Sequence, residues 1–223
     1  MILQLNFFGD PNLGLFCTAN SKICFLPFNL AEKEKVEKTL GVKAFEAKVL
    51  GTNLIGIFCV MNDWGIVLPN LLPNLEKNFF KKIADEYKLN ICFLELKYNA
   101  LGNLILCNNQ GAVLSKLIPK RYKEKIERTL EVEVDYLTIA NLNIVGACGV
   151  ANDEGCLLHR EVKSEELEKI EKILKVECNL GTVNFGSPFV KSGLVISKTN
   201  ALIGNLTTAP EISRIVETLK LRF

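Results

Sequence analysis

The distribution of apolar and polar residues divides the chain into short apolar runs separated by turn residues. The clearest example is Val145–His159, in which two apolar runs flank the polar segment Asn152–Gly155. Asn and Gly readily adopt the positive φ angles that a short connection between antiparallel strands requires. This stretch therefore predicts a β-hairpin.

The same hairpin pattern recurs along the chain as Gly, five residues, Asn, two residues, Gly. Complete, partial and degraded copies begin at five places, with the key residues Gly14/Asn20/Ile23, Gly56/Asn62/Gly65, Gly102/Asn108/Gly111, Gly146/Asn152/Gly155 and Lys191/Ser197/Asn200. Successive turn positions are separated by 42, 46, 44 and 45 residues. Because a period of about 40–50 residues is typical of solenoids and propeller-like arrays, we expect five copies of one structural unit.

Each hairpin is followed by a segment with helical spacing of apolar residues and then by another apolar run. The first strands of the first three hairpins are predicted over Leu13–Ala19, Ile55–Met61 and Asn103–Cys107. Helices are predicted over Ala31–Leu40, after a cap at Asn74, near Arg121–Leu130, over Ser164–Lys175 and from a capping box at Thr208–Glu211. The unit is therefore strand, strand, helix, strand.

The fifth unit ends after its helix and lacks a final strand. The apolar segment Ile2–Phe8 precedes the first hairpin and can supply that strand, which would close the array and remove exposed sheet edges. We therefore expect an α/β fold: a pseudo-fivefold ring with helices outside and hairpins inside. It would form a single domain over residues 1–223, with repeats at roughly 12–49, 52–97, 99–139, 142–183 and 188–223 plus 2–8.

Composition narrows the range of functions. Apolar residues make up 48% of the chain, and the formal net charge is +2, which argues against bulk binding of nucleic acid phosphates. The sequence shows neither the basic start of a signal peptide nor an apolar run long enough for a membrane span. The eight cysteines lie mostly within apolar runs and form no C-x-x-C pair. We expect buried thiols in the cytoplasm, with no metal site and no cofactor.

Several short stretches resemble the translation initiation factor six family of archaea and eukaryotes, which are ribosome anti-association factors. They are Ala100–Asn103, Gly181–Asn184 with Gly186-Ser187, Cys156–His159 and Thr207–Glu211. The resemblance implies the pentein fold, binding to the intersubunit face of the large ribosomal subunit and steric exclusion of the small subunit without catalysis. We also expect a ribosomal protein as the main contact and nearby rRNA as a further one, for a monomer that uses no small-molecule substrate. The chain departs from the family at Lys191, Asn200 and Leu206.

The alternative is a pentein enzyme, a guanidine-modifying hydrolase or an amidinotransferase. Such enzymes use a cysteine nucleophile near the end of the chain together with a histidine. The last cysteine here is Cys178, and the single histidine is His159. A nucleophile needs a base that is placed beside it, and the sequence offers no such pair, so we expect no enzymatic activity.

The segments that enter the first strand of each repeat should meet at one end of the ring. They are rich in Asn and uncharged, which suits docking to a ribosomal protein better than neutralisation of phosphates. Asn103 is expected inside a strand, where Asn is unfavourable, so we interpret it as a contact residue. The predicted large-subunit-binding face consists of Asn53, Asn99, Ala100, Leu101, Gly102, Asn103 and Asn143.

Overall fold

Five small sheets are the main feature of the computed structural model, which describes residues 1–222. Within these residues every sheet has three strands. Four sheets follow the chain, with strands β2 (Thr18–Ala19), β3 (Ile23–Leu26) and β4 (Lys43–Glu46); β5 (Val60–Met61), β6 (Gly65–Pro69) and β7 (Asn90–Leu94); β8 (Ile105–Cys107), β9 (Gly111–Ser115) and β10 (Glu133–Leu137); β11 (Gly149–Ala151), β12 (Cys156–His159) and β13 (Cys178–Gly181). In each of them an antiparallel hairpin is followed by a third strand parallel to its second.

The fifth sheet combines both ends of the described chain. The hairpin of β14 (Leu194–Ser197) and β15 (Asn200–Gly204) is joined by β1 (Ile2–Leu5), which pairs parallel to β15 with Ile2 opposite Ala201. The N-terminal segment therefore supplies the strand that the fifth repeat lacks, as the sequence predicts.

Five longer helices follow the hairpins: α2 (Lys33–Leu40), α4 (Asn74–Tyr87), α6 (Lys123–Leu130), α7 (Ser164–Leu174) and α8 (Ala209–Leu219). A 3-10 turn at Lys120–Tyr122 precedes α6. The predicted capping box of α8 is confirmed, with Thr208 as N-cap and Glu211 at the third helical position. Asn74 is the first residue of α4 rather than its cap, because the N-cap position is occupied by Pro73. None of these helices is long and apolar enough to cross a membrane within residues 1–222.

The predicted first strands are too long at their N-terminal ends. In the first three repeats a single helical turn precedes the first strand of the hairpin: α1 (Leu13–Phe16), α3 (Ile55–Phe58) and α5 (Leu101–Leu104). A short apolar run does not distinguish a strand from a buried helical turn. The prediction that Asn103 lies inside a strand is therefore wrong, since Asn103 belongs to α5.

The apolar core is divided into five clusters within the described residues, and each joins neighbouring repeats. In one cluster Val113 of β9 packs with Ile170 and Leu174 of α7, the helix of the next repeat. The corresponding helix residues of the other clusters are Phe80, Ile126, Ile215 and Val36, in α4, α6, α8 and α2. The last of these joins the first repeat to the fifth, where Leu202 of β15 lies in the same cluster as Val36. All eight cysteines are free thiols; seven are buried, and Cys107 is partly exposed.

The turn asparagine of the repeat links neighbouring repeats by hydrogen bonds. Nδ2 of Asn108 donates to the carbonyl oxygen of Asn152 in the next hairpin at 3.1 Å and to that of Leu174, at the end of α7, at 2.9 Å. Its Oδ1 accepts from the backbone N–H groups of Gln110 and Gly111 in its own turn. Asn62 and Asn152 repeat this arrangement with the ends of α6 and α8.

The second glycine of the pattern is required because the same helix ends lie against it. A Cβ atom at Gly65 would lie 1.9 Å from the carbonyl oxygen of Thr129 in α6. Gly111 and Gly155 have the same relation to α7 and α8, at 1.8 and 1.9 Å. In the first repeat Ile23 takes this place and packs in the cluster that contains Ile83 and Ala84 of the longer helix α4.

Glutamates near the starts of three helices hold the turns that precede the hairpins. Glu76 accepts hydrogen bonds from the N–H groups of Leu50 and Gly51, at 2.7 and 2.8 Å. Glu166 accepts from Ala140 and Asn141, and Glu211 from Phe185 and Gly186. Several of these turn residues have positive φ, which costs energy for a residue other than Gly, so charge-assisted hydrogen bonds stabilise an otherwise unfavourable backbone.

We expect Asn108→Ala to lower the free energy of unfolding by about 2–4 kcal/mol, because it leaves two buried carbonyl groups and two turn N–H groups without a partner. Denaturant unfolding followed by circular dichroism measures this change. The control is Gln110→Ala in the same turn, whose amide makes one exposed hydrogen bond to Asp153. Equal effects of the two substitutions would contradict the structural role of Asn108.

Glu211 should make the stability pH-dependent. Burial alone raises the pKa of Glu211, but hydrogen bonds from Thr208, Thr182 and Gly186 outweigh it and hold the pKa below its usual value. A carboxyl group with a lowered pKa in the folded state stabilises the fold above its unfolded pKa, about 4.3, and loses this contribution as the pH falls through the folded value.

Glu211→Gln should therefore flatten the acid side of the stability curve, with the largest difference from wild type near neutral pH and a smaller one below pH about 4. Urea unfolding at a series of pH values measures both curves. Glu168→Gln is the control, since Glu168 is exposed and makes no side-chain hydrogen bond within residues 1–222. Parallel curves for wild type and Glu211→Gln between pH 7 and 3 would show that the pKa shift is absent.

Candidate functional site

The N-terminal ends of the hairpins meet where the first glycines of the pattern lie side by side. A Cβ atom at Gly56 would lie 2.0 Å from the carbonyl oxygen of Gly14, and one at Gly102 would lie 2.0 Å from that of Gly56. Gly146 has the same relation to Gly102, at 2.3 Å. Side chains cannot fit between such close backbones, so these positions require glycine. We call this the glycine end of the molecule.

Three asparagines of the predicted site occupy the same place in successive repeats. Asn53, Asn99 and Asn143 each lie three residues before the first glycine of their repeat, so all three belong to the glycine end. Asn143 is exposed. The Oδ1 atoms of Asn53 and Asn99 are buried and accept no hydrogen bond within residues 1–222. An unpaired buried acceptor is costly in a folded protein, and a donor from a partner would relieve that cost.

The segment Ala100–Asn103 contains both accessible and inaccessible residues. Ala100 and Asn103 are partly exposed, whereas Leu101 is fully buried and Gly102 is buried in the contact with Gly56. The Asn103 side chain makes no hydrogen bond within the described chain, while its carbonyl oxygen accepts from Gly146 N at 2.9 Å. Leu101 and Gly102 therefore hold α5 in place, and Ala100 and Asn103 are the members that a partner could touch.

Two exposed phenylalanines at the glycine end were missed by the sequence analysis. Phe185 is 83% exposed and Phe8 is 58% exposed, and both have positive φ at the tips of turns. Nδ2 of Asn184 joins the two turns by a hydrogen bond to the carbonyl oxygen of Pro11, at 3.1 Å. The pairs Phe8-Gly9 and Phe185-Gly186 were the available signal, because glycine favours a turn and turns usually carry polar residues beside it.

The opposite end opens into a cavity of about 520 Å³ that is lined by all five hairpin turns. Its carboxylates are partly paired: Asn109 Nδ2 donates to Asp63 at 2.9 Å and to Asp153 at 2.7 Å. A narrower cavity of about 90 Å³ continues inward between the first strands. No cluster of three or more metal-ligating residues is present in residues 1–222.

The thiols and the histidine do not form a catalytic pair. Burial raises the pKa of Cys59 and Cys107 in the inner cavity to about 12, which keeps both thiols protonated at neutral pH. His159 is buried against Phe189, with ring centroids 5.6 Å apart, and its Nδ1 accepts a hydrogen bond from Glu161 N. Burial lowers the pKa of His159. Within the described chain no hydrogen bond links a thiol to this imidazole.

Comparison with known proteins extends the similarity over almost the whole chain. The model of the eIF-6 family matches residues 2–218. Translation initiation factor 6 of Cenarchaeum symbiosum is 44% identical over 213 residues, which are 95% of either chain. The factor of Saccharolobus solfataricus is 42% identical over 219 residues, 97% of either chain, and that of Staphylothermus marinus is 37% identical over 216 residues, 96% of this chain and 95% of its own.

A match over so much of the chain, at these levels of identity, agrees with the short motifs and with the fivefold repeat of sheets. The protein belongs to the eIF-6 family.

Proposed function

We propose that the protein is a ribosome anti-association factor. It binds the large ribosomal subunit through its glycine end and blocks joining of the small subunit sterically, without catalysis. Its membership of a family whose curated members are named translation initiation factor 6 supports a role in protein synthesis. The proposed binding residues are Asn53, Asn99, Ala100, Asn103 and Asn143, with Leu101 and Gly102 beneath them.

The row of amides at the glycine end is the observation that carries this proposal, since Asn53, Asn99 and Asn143 occupy the same place in successive repeats. The Oδ1 atoms of Asn53 and Asn99 are buried and unpaired within residues 1–222, which costs about 1–3 kcal/mol each, so rotation of these side chains toward a donor on a partner would be favourable. Asn103 and Asn143 add two amides that make no side-chain hydrogen bond within residues 1–222. Together they present amide donors and acceptors side by side at one end of the molecule.

The absence of charge among the proposed residues indicates the kind of partner. None of the seven is ionisable. Binding to phosphates relies on Lys and Arg, whereas protein interfaces combine aromatic and polar groups. We therefore propose a ribosomal protein as the main contact and adjacent rRNA as a secondary one. Phe8 and Phe185 project from the same end and suit the role of apolar anchors.

The finer features of the fold belong to the same proposal. We propose a closed pentein-type ring that forms one domain and acts as a monomer in the cytoplasm. The apolar cluster that contains both Leu202 of the fifth repeat and Val36 of the first supports closure. A hydrogen bond between Asn200 Nδ2 and the carbonyl oxygen of Leu40, at 3.1 Å, supports it as well.

Asn103→Arg should weaken binding to the large subunit at least about tenfold, because a long cation would be placed among amides that are adapted to an uncharged surface. The melting temperature should stay nearly unchanged, since the Asn103 side chain is partly exposed and makes no hydrogen bond in the described chain. Pelleting of labelled protein with purified large subunits measures the affinity.

The matched control changes charge away from the glycine end. Lys169→Glu and Lys172→Glu lie on the exposed face of α7 and should leave binding unchanged. Loss of binding in these helix variants, together with normal binding of Asn103→Arg, would place the interface on the outer helices and contradict the proposal.

A further inference from the structure

Lys191 occupies the place in the fifth repeat that a glycine occupies in the other four. Its Nζ donates a hydrogen bond to the carbonyl oxygen of Gly102 at 2.6 Å. Because Gly102 belongs to the third repeat, the lysine side chain crosses the space that the hairpins surround. The backbone contact of Lys191 N with the Ala147 carbonyl oxygen is long, 3.4 Å, whereas the matching bonds of Gly14 and Gly146 measure 2.8 and 2.9 Å. The backbones of the fourth and fifth repeats are therefore slightly farther apart at Lys191, where its side chain extends into the space between the hairpins.

The lysine side chain lines an apolar channel. The inner cavity of about 90 Å³ takes wall residues from every repeat, among them Cys17, Cys59, Ile105, Gly149 and Leu194. Ala19, Met61, Cys107, Ala151 and Ile196 line both this cavity and the wide mouth, so the two spaces adjoin. At the other end the backbones at Gly14, Gly56, Gly102 and Gly146 lie in close contact. Lys191 thus lies at the inner end of a channel that opens on the side opposite to the glycine end.

The ammonium group of Lys191 lacks a charged partner in the described chain. It has three N–H donors, and the carbonyl oxygen of Gly102 accepts one. No carboxylate within residues 1–222 lies in salt-bridge contact with it. The titratable groups that face it are the thiols of Cys59 and Cys107, with Asp153 beyond Cys107 at the mouth. Lys191 is partly exposed, and the burial of its side chain lowers its pKa to about 8. The ammonium form therefore dominates at neutral pH, without a charged partner within residues 1–222.

We propose that this channel binds a short, unbranched aliphatic monocarboxylate whose carboxylate pairs with Lys191 and whose alkyl chain lies along the apolar wall toward the mouth. A carboxylate accepts the free N–H groups and compensates the buried charge. One cation favours a monoanion, and the volume beside it accommodates a chain of about two to four carbons, on the basis of about 30 Å³ per small group. Polyphosphates carry too much charge and bulk for this space.

Sodium butyrate is the probe, and full-length protein with ¹³Cε-labelled lysine reports on Lys191 by NMR. We expect one saturable site, and a shift in the Lys191 titration midpoint upward from about 8 by about one pH unit or more when butyrate is bound. Binding should weaken as the pH rises above the Lys191 midpoint, because the neutral amine cannot pair with a carboxylate. Acetate should bind more weakly than butyrate because it buries less apolar surface.

Lys191→Met should weaken butyrate binding at least about tenfold, through loss of the ion pair. The matched control is Lys198→Met, which removes a lysine from the mouth of the cavity and should leave binding unchanged. The signal of Lys191 is assigned by its disappearance in the Lys191→Met or Lys191→Arg spectrum. Should neither variant fold, Lys191 is identified in the wild-type protein as the lysine with a midpoint near 8, and the change of that midpoint with butyrate decides.

Three results would overturn the proposal: no shift of a lysine midpoint with saturating butyrate, full binding by Lys191→Met, or loss of binding in Lys198→Met. Equal effects of n-butanol would indicate filling of an apolar space only, and equal effects of chloride at the same concentration would indicate a general anion site. Either result would also contradict a carboxylate site. None of these outcomes bears on the ribosomal role, because the channel opens away from the proposed interface.

Discussion

The hydrogen bonds of the turn asparagines are the interaction on which the rest of the structure depends. Asn62, Asn108 and Asn152 each fix their own turn, the next hairpin and the end of the next helix with one buried amide. Because an unpaired buried polar group is costly, these bonds favour one position of each of the three repeats relative to the next. The second glycine of the pattern has no side chain and therefore leaves space for the helix end to which this amide donates. The first glycine allows the backbones of neighbouring hairpins to lie in close contact.

This repeated linkage gives the molecule two different ends. At the glycine end the backbones are fixed, and the preceding segments carry amides in three repeats and phenylalanines at two turn tips. At the other end the turns surround an open cavity. The pattern is weakest in the fifth repeat, where Ser197 and Lys191 replace the asparagine and the glycine. The ammonium group in the channel belongs to Lys191, one of these two replacements.

Local patterns in the sequence were enough to predict the hairpins, the longer helices, the repeat and the role of the N-terminal strand. Contacts between residues that are distant in the sequence could not be predicted from these local patterns. The need for glycine at Gly111 comes from Ile173, 62 positions away, and the strained turn at Phe185 depends on Glu211 in the following helix. The predicted strand Asn103–Cys107 wrongly includes Asn103 and Leu104, the last two residues of the helical turn Leu101–Leu104, because a short apolar run fits either structure. Asn103 was thus selected through a wrong local assignment, although it does lie at the glycine end.

The central claim is that the protein binds one ribosomal subunit and thereby prevents the two from joining. Sucrose-gradient sedimentation with purified large and small subunits at matched salt tests it most directly. The protein should sediment with the large subunit, not with the small one, and its presence should reduce the amount of joined ribosomes in proportion to occupancy of the large subunit. Equal binding to both subunits, or unchanged joining when the large subunit is saturated, would contradict the claim.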